Sequence, residues 1–288
     1  MNYLRLLAEK FPTIESVTNE LVNLRAIMHL PKGTEYYFSD LHGEHEAFIH
    51  LLRSGSGVIR EKIDALFRSS MMEEDRSALA ALVYYPTTQM ARARKTEQNY
   101  ADWCAITINH LVIVACEVSA KYTRSKVRRT IDPRYAGLIE ELMNTDGTDA
   151  DKRVYYREMI ETVVQVGCAE GLIKALCHLI QQMTVDQLHI IGDIFDRGPR
   201  ADRILDELMK HHDVDIQWGN HDVAWIGAMC GNPVCLMSVL RIAISYNGFD
   251  CLEDGYGINL RPLSMFAATT YANDPCERFM PHVLDENE

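Results

Sequence analysis

"VDQLHIIGDIFDRG" (185–198) reads as a strand that empties into a charged loop: an apolar run ends at Ile191, and Gly192, Asp193, Asp196, Arg197 and Gly198 follow at once. An amphipathic helix, "RADRILDELMKHH" (200–212), and a second strand, "VDIQW" (214–218), come next. Strand, helix and strand with short links predict a parallel α/β core. In such sheets, sites form at the carboxyl ends of the strands. The same build occurs twice more: "TEYYFS" (34–39) runs into "SDLHGE" (39–44), and "VDIQW" runs into "GNHD" (219–222).

Three segments therefore carry Asp40, His42, Asp193, Asp196, Arg197, Asn220, His221 and Asp222 to one sheet edge. Carboxylate, imidazole and amide oxygen suit manganese, iron or zinc. In an extended D-x-H segment both side chains point the same way, so Asp40 and His42 can hold one ion. Asp193 can bridge to a second ion, and Asn220 can ligate that ion. Two ions about 3.5–4 Å apart clamp a phosphate. His221 can give a proton to the leaving oxygen, with Asp222 orienting its ring. Arg197 offers a planar fork to phosphate oxygens. Asp196 reads as fixing local structure or the surroundings of a ligand. Each motif alone also fits a plain turn. Their joint occurrence behind three strands favours a site.

The set D-x-H, G-D-x-x-D-R-G and G-N-H-D resembles the calcineurin-like metallophosphoesterase superfamily. In its protein serine/threonine phosphatases the first two motifs lie close together. Here a long helical stretch separates Asp40 from Asp193. With "YYFSDLHGEHEAF", "HIIGDIFDRGPRAD", "QWGNHDVAWIGA" and "YGINLRPL", the chain resembles the bacterial, Firmicutes-type class III fructose-1,6-bisphosphatases as far as about Leu263. The resemblance implies an α/β calcineurin-like core with a partial sheet and a large helical insertion between the first two metal motifs. It implies a binuclear manganese site, with Asp40, His42 and Asp193 on the first ion and Asp193 and Asn220 on the second. His221 and Asp222 match the acid pair, and the reaction removes the 1-phosphate of fructose 1,6-bisphosphate in gluconeogenesis.

The superfamily supplies two further histidines to the second ion, whereas only His282 follows Asp222 here, without a matching motif. Class III members are also longer. The chain thus reads as an N-terminal portion, a fragment whose second ion is weakly held and whose activity is low or absent. An uncovered sheet edge would favour a homo-oligomer. Two rival readings stand beside this one. The first is a protein or nucleotide phosphatase on the same core, against which the helical insertion argues. The second is a non-catalytic metal-binding module.

Composition narrows the partners. The 288 residues carry a net charge of −12, which disfavours nucleic acid and anionic membrane. A phosphorylated sugar would need local cations or metal. Eight cysteines without a C-x-x-C pair, and an N-terminus whose apolar runs are broken by charge, suggest a reduced, cytoplasmic protein. The apolar "CAITINHLVIVACEVSA" (104–120) carries Asn109, His110 and Glu117 and reads as a buried helix.

The expected organisation is an N-terminal helix (3–30) and first strand with the D-x-H loop in 1–42, a helical insertion in 43–185, the α/β core in 186–263, and an irregular tail in 264–288. "KYTRSKVRR" (121–129) gathers Lys121, Arg124, Lys126, Arg128 and Arg129. It is either a solvated helix end or a phosphate-binding patch for substrate or an anionic effector. Cys230 and Cys235 read as core thiols.

Overall fold

The three expected strands pair as one parallel sheet, β1 (Glu35–Phe38), β2 (Gln187–Ile191) and β3 (Val214–Gln217), in the order β1-β2-β3. Register aligns Tyr36 with Leu188 and Val214, and Phe38 with Ile190 and Ile216. Side chains alternate across a strand, so these six share the face that packs into a core with Phe48, Ile49, Ile204 and Leu208. On the other face the next aligned row is Tyr37, His189 and Asp215. There the His189 ring stacks on Tyr37 at 4.6 Å and its Nδ1 lies 2.9 Å from Asp215 Oδ2. Tyr37 and Ile191 remain exposed.

The computed structural model describes residues 2–144, 150–275 and 277. Its helices run in chain order as α1 (Asn2–Lys10), α2 (Ile14–Ile27), α3 (His45–Ser54), α4 (Val58–Phe67), α5 (Glu73–Tyr84), α6 (Pro86–Thr96), α7 (Tyr100–Ser119) and α8 (Arg124–Thr130). Then come α9 (Ala136–Met143), α10 (Ala150–Gln165), α11 (Ala169–Thr184), α12 (Ala201–Leu208), α13 (Asn220–Met229), α14 (Pro233–Ser245) and α15 (Arg261–Thr270). The chain is mostly helical and α/β overall.

Two compact units form. One comprises Met1–Gly33 with Lys62–Met183, the other Thr34–Glu61 with Thr184–Glu288. This partition differs from a linear cut at 42 and 185. Helix α3 joins the sheet because Phe48 and Ile49 belong to the sheet's core. In the helical unit, α7 buries Cys104, Ile108, Leu111, Ala115 and Val118, the expected stripe, while Tyr122 lies beyond its end and is half-buried. Helix α7 is long and apolar enough to cross a membrane by length and composition. Helix α11 buries Leu172, Ile173, Leu176, Leu179, Ile180 and Met183.

Two expectations need correction. The single helix 3–30 is two helices, α1 and α2. Pro12 disfavours helical backbone at Phe11, and Thr13 restarts the chain as a cap, its hydroxyl accepting the Ser16 amide at 3.2 Å. The tail expected to be irregular from 264 contains α15. Pro262 sits in the first turn of that helix, where its missing N–H costs nothing. His282 lies outside the described residues.

Candidate metal centre

All three loops sit at the carboxyl end of the sheet. The first two continue the β1–β2 ladder beyond the strands: the Asp40, His42 and Gly43 amides donate to the Gly192, Asp193 and Ile194 carbonyls at 3.2, 2.9 and 2.8 Å. Gly198 then donates to the His42 carbonyl at 2.7 Å. This stitching needs glycine. A Cβ on Gly43 would lie 2.4 Å from the Gly198 carbonyl oxygen, and one on Gly192 would lie 2.6 Å from the Gly219 nitrogen. Left-handed backbone is concentrated here, with positive φ at Asp40, His42, Asp193, Asp196 and Arg197. Such residues cost about 1–3 kcal/mol each and persist where surrounding structure fixes them.

Asp40, His42 and Asp193 each offer one ligand atom, and these atoms lie within 4.8 Å of one another. His42 Nε2 is 3.8 Å from Asp40 Oδ1. The buried His42 ring has Nδ1 3.1 Å from the Phe195 carbonyl. A carbonyl can only accept, so Nδ1 carries the proton and the Nε2 lone pair faces the carboxylates. Two carboxylates and one imidazole held in this way fit a divalent ion of the borderline class. The D-x-H convergence has a different cause from the expected one. Asp40 and His42 lie past the end of β1, and their left-handed turns, rather than strand alternation, bring them together.

The third loop starts α13. Gly219 packs so tightly on the second loop that an added Cβ would meet Asp193 Oδ1 at 2.0 Å. The His221 amide donates to that same Oδ1 at 3.2 Å. Asn220 is exposed at the first position of α13. The His221 ring meets the His42 ring edge-on at 5.2 Å.

The expected pairing of His221 with Asp222 is not found. Asp222 is fully buried and accepts four backbone amides. Oδ2 takes those of Asp193 (2.8 Å) and Gly219 (2.9 Å), and Oδ1 takes those of Ile194 (2.9 Å) and Phe195 (3.2 Å). It thereby closes the second loop onto the third. Neighbouring residues on a helix point about 100° apart, so the two side chains diverge. Asp196, also buried, takes the role instead, its Oδ2 lying 2.8 Å from His221 Nδ1. Its Oδ1 accepts from Trp225 Nε1 at 2.8 Å, and Trp225 stacks on Phe195 at 4.4 Å. Sequence reading passed over Trp225. Its spacing of four from His221, one turn along α13, was the available signal.

Arg197 is exposed, and no ion pair of its guanidinium is found among the described residues. Arg200 forks onto Asp202 at 3.0 and 2.6 Å. Burial alone would raise the Asp202 carboxyl, but Arg200 outweighs it and the net shift is downward. Arg124, Lys126, Arg128 and Arg129 lie on α8 in the helical unit.

Comparison with known proteins agrees with the motifs. Residues 2–288 match the family described as Firmicute fructose-1,6-bisphosphatase. The chain is 48% identical over 287 residues to a protein of Clostridium botulinum (strain Hall) named fructose-1,6-bisphosphatase class 3, covering 100% of this chain and 43% of that protein. A protein of the same name from Clostridium tetani is 47% identical over 286 residues, covering 99% of this chain and 43% of its own length. The chain thus spans less than half the length of the curated relatives it matches. No solved structure matches.

Proposed function

The chain belongs to the Firmicute fructose-1,6-bisphosphatase family, and from that membership we propose that it is a metal-dependent phosphomonoester hydrolase for the 1-phosphate of fructose 1,6-bisphosphate. The observation that carries this reading is the convergence of Asp40, His42 and Asp193 beside a histidine whose ring is held by a buried carboxylate. The proposed fold is a calcineurin-like core, supported by three motif loops on consecutive parallel strands. Asp40, His42 and Asp193 would hold the first ion, and Asp193 with Asn220 the second. We propose manganese as the metal and a reduced, cytoplasmic setting. Bound there, a divalent ion would supply positive charge to the phosphoryl group and favour attack by water.

The side chains have separate tasks. Arg197 receives phosphoryl oxygens on its planar fork. His221 gives a proton from Nε2 to the departing sugar oxygen, while Asp196 holds Nδ1 and steadies the charged ring. Phe195, through its carbonyl, keeps His42 in the tautomer that leaves Nε2 open. Asp222 keeps the second and third loops in register.

The test uses the 288-residue chain loaded with manganese and freed of loose ions. Metal per chain is counted, and phosphate release from fructose 1,6-bisphosphate is followed. Asp193→Asn should lose both retained metal and turnover. His221→Ala should keep the metal and lose about 10²–10⁴ in turnover. Metal retention equal in wild type and Asp193→Asn would overturn the metal centre. Turnover is expected to be low, because the second ion has few ligands in this chain; retained metal with no detectable phosphate release would leave the 288 residues a metal-binding module.

A further inference from the structure

The helical unit has a cavity of its own, of about 680 Å³, between the end of α7, helix α8 and helix α9. That is the size of a small-molecule site, commonly about 300–1,000 Å³. Its wall includes Ser119, Tyr122, Arg124, Arg128, Ile131 and Glu140. Arg124 and Arg128 are four apart on α8 and so share a face. Both are exposed, and no ion pair of Arg124 is found among the described residues. Lys121 and Lys126 lie over the Tyr122 ring at 5.1 and 4.7 Å. In a chain of net charge −12 this is a local concentration of cations.

The interior is polar where it should be satisfied and is not. Ser119 is only 6% exposed, and its hydroxyl has no hydrogen-bond partner. Glu140 Oε1, on the same wall, is paired with Arg128 Nε at 3.0 Å and keeps a lone pair for a further donor. A buried polar atom without a partner is costly, so the Ser119 hydroxyl on this wall points to an absent occupant.

We infer that this cavity binds a small organic phosphate, its phosphate between Arg124 and Arg128 and its hydroxyl groups on Ser119 Oγ and Glu140 Oε1. The cavity far exceeds a bare phosphate ion, and Ile131 offers apolar contact to a carbon body. The inference does not depend on the metal centre.

The probes are inorganic phosphate and glycerol 3-phosphate, titrated calorimetrically into the 288-residue chain with chelator present. Glycerol 3-phosphate should bind saturably at one per chain and more tightly than inorganic phosphate. Arg124→Glu and Arg128→Gln should each weaken it about tenfold or more, the loss of one charge-assisted contact. Ser119→Ala should weaken the ester but not inorganic phosphate, and Arg197→Ala should change neither. Absence of saturable binding, or sensitivity to Arg197→Ala alone, would overturn the site. Phenylglyoxal labelling of the unmutated chain guards against variants that fail to fold. Glycerol 3-phosphate should slow modification of Arg124 at least about threefold, as bound ligand shields its contacts. Unchanged labelling of Arg124 would overturn the inference.

Discussion

Asp222 Oδ2 accepts the backbone amide of Asp193 at 2.8 Å, so the last residue of one motif fixes the first acid of another. Three more amides converge on the same carboxylate. Asp222→Asn would turn an amide NH₂ toward groups that can only donate. The expected loss is about 3 kcal/mol or more, read as a lower urea midpoint. A variant with native stability but depressed turnover would instead assign Asp222 to the chemistry.

Asp196 spans His221 Nδ1 and Trp225 Nε1, each at 2.8 Å. Asp196→Asn should leave retained metal unchanged and lower turnover by about 10² or more, since the proton donor loses its charged partner. Trp225→Phe keeps a ring against Phe195 and deletes one donor to that carboxylate. It should cost about 1.5–3 kcal/mol of stability, the value of a hydrogen bond to a charged group. Urea unfolding of both variants, with metal counting, separates the two effects.

Gly219 approaches Asp193 so closely that an added Cβ would sit 2.0 Å from Oδ1 and 2.5 Å from the backbone nitrogen. Gly219→Ala must therefore displace either the loop or the carboxylate. Metal content of the purified variant should fall to that of Asp193→Asn. Retention of the wild-type stoichiometry would mean that Asp193 does not hold the ion.

The strands and the three loops behind them were legible because apolar runs ending in Gly, Asp, His and Arg mark both the sheet and its carboxyl edge. Side-chain directions within the loops were not. Asp40, His42, Asp193, Asp196 and Arg197 all adopt left-handed backbone, where neither strand alternation nor helical spacing applies. Asp196 and Asp222 thus exchanged their expected roles. Close backbone contacts such as Gly43 against Gly198 depend on three-dimensional approach and leave only glycines in the text. Helix α15 was obscured by Pro262, because a proline ends a helix in most positions but opens this one.

Cysteine reactivity tests the cores of both units. Cys104, Cys177 and Cys251 are buried and free, and burial pushes each thiol upward, that of Cys251 to about 11. Cys168 is exposed, and so is Cys230, expected in the core but placed at the end of α13 before Gly231. Iodoacetamide at pH 8 should modify Cys168 and Cys230 first, while Cys104, Cys177 and Cys251 react only with unfolding, because thiolate is the nucleophile. The sign for stability follows from the raised value. An unfolded thiol ionises near pH 8.5, so the contribution of a neutral Cys251 is complete below that pH and is lost as pH rises toward about 11. The stability gap between wild type and Cys251→Ala, from urea unfolding at pH 7 and pH 10, should therefore narrow at the higher pH. A gap that does not change would place Cys251 in contact with water.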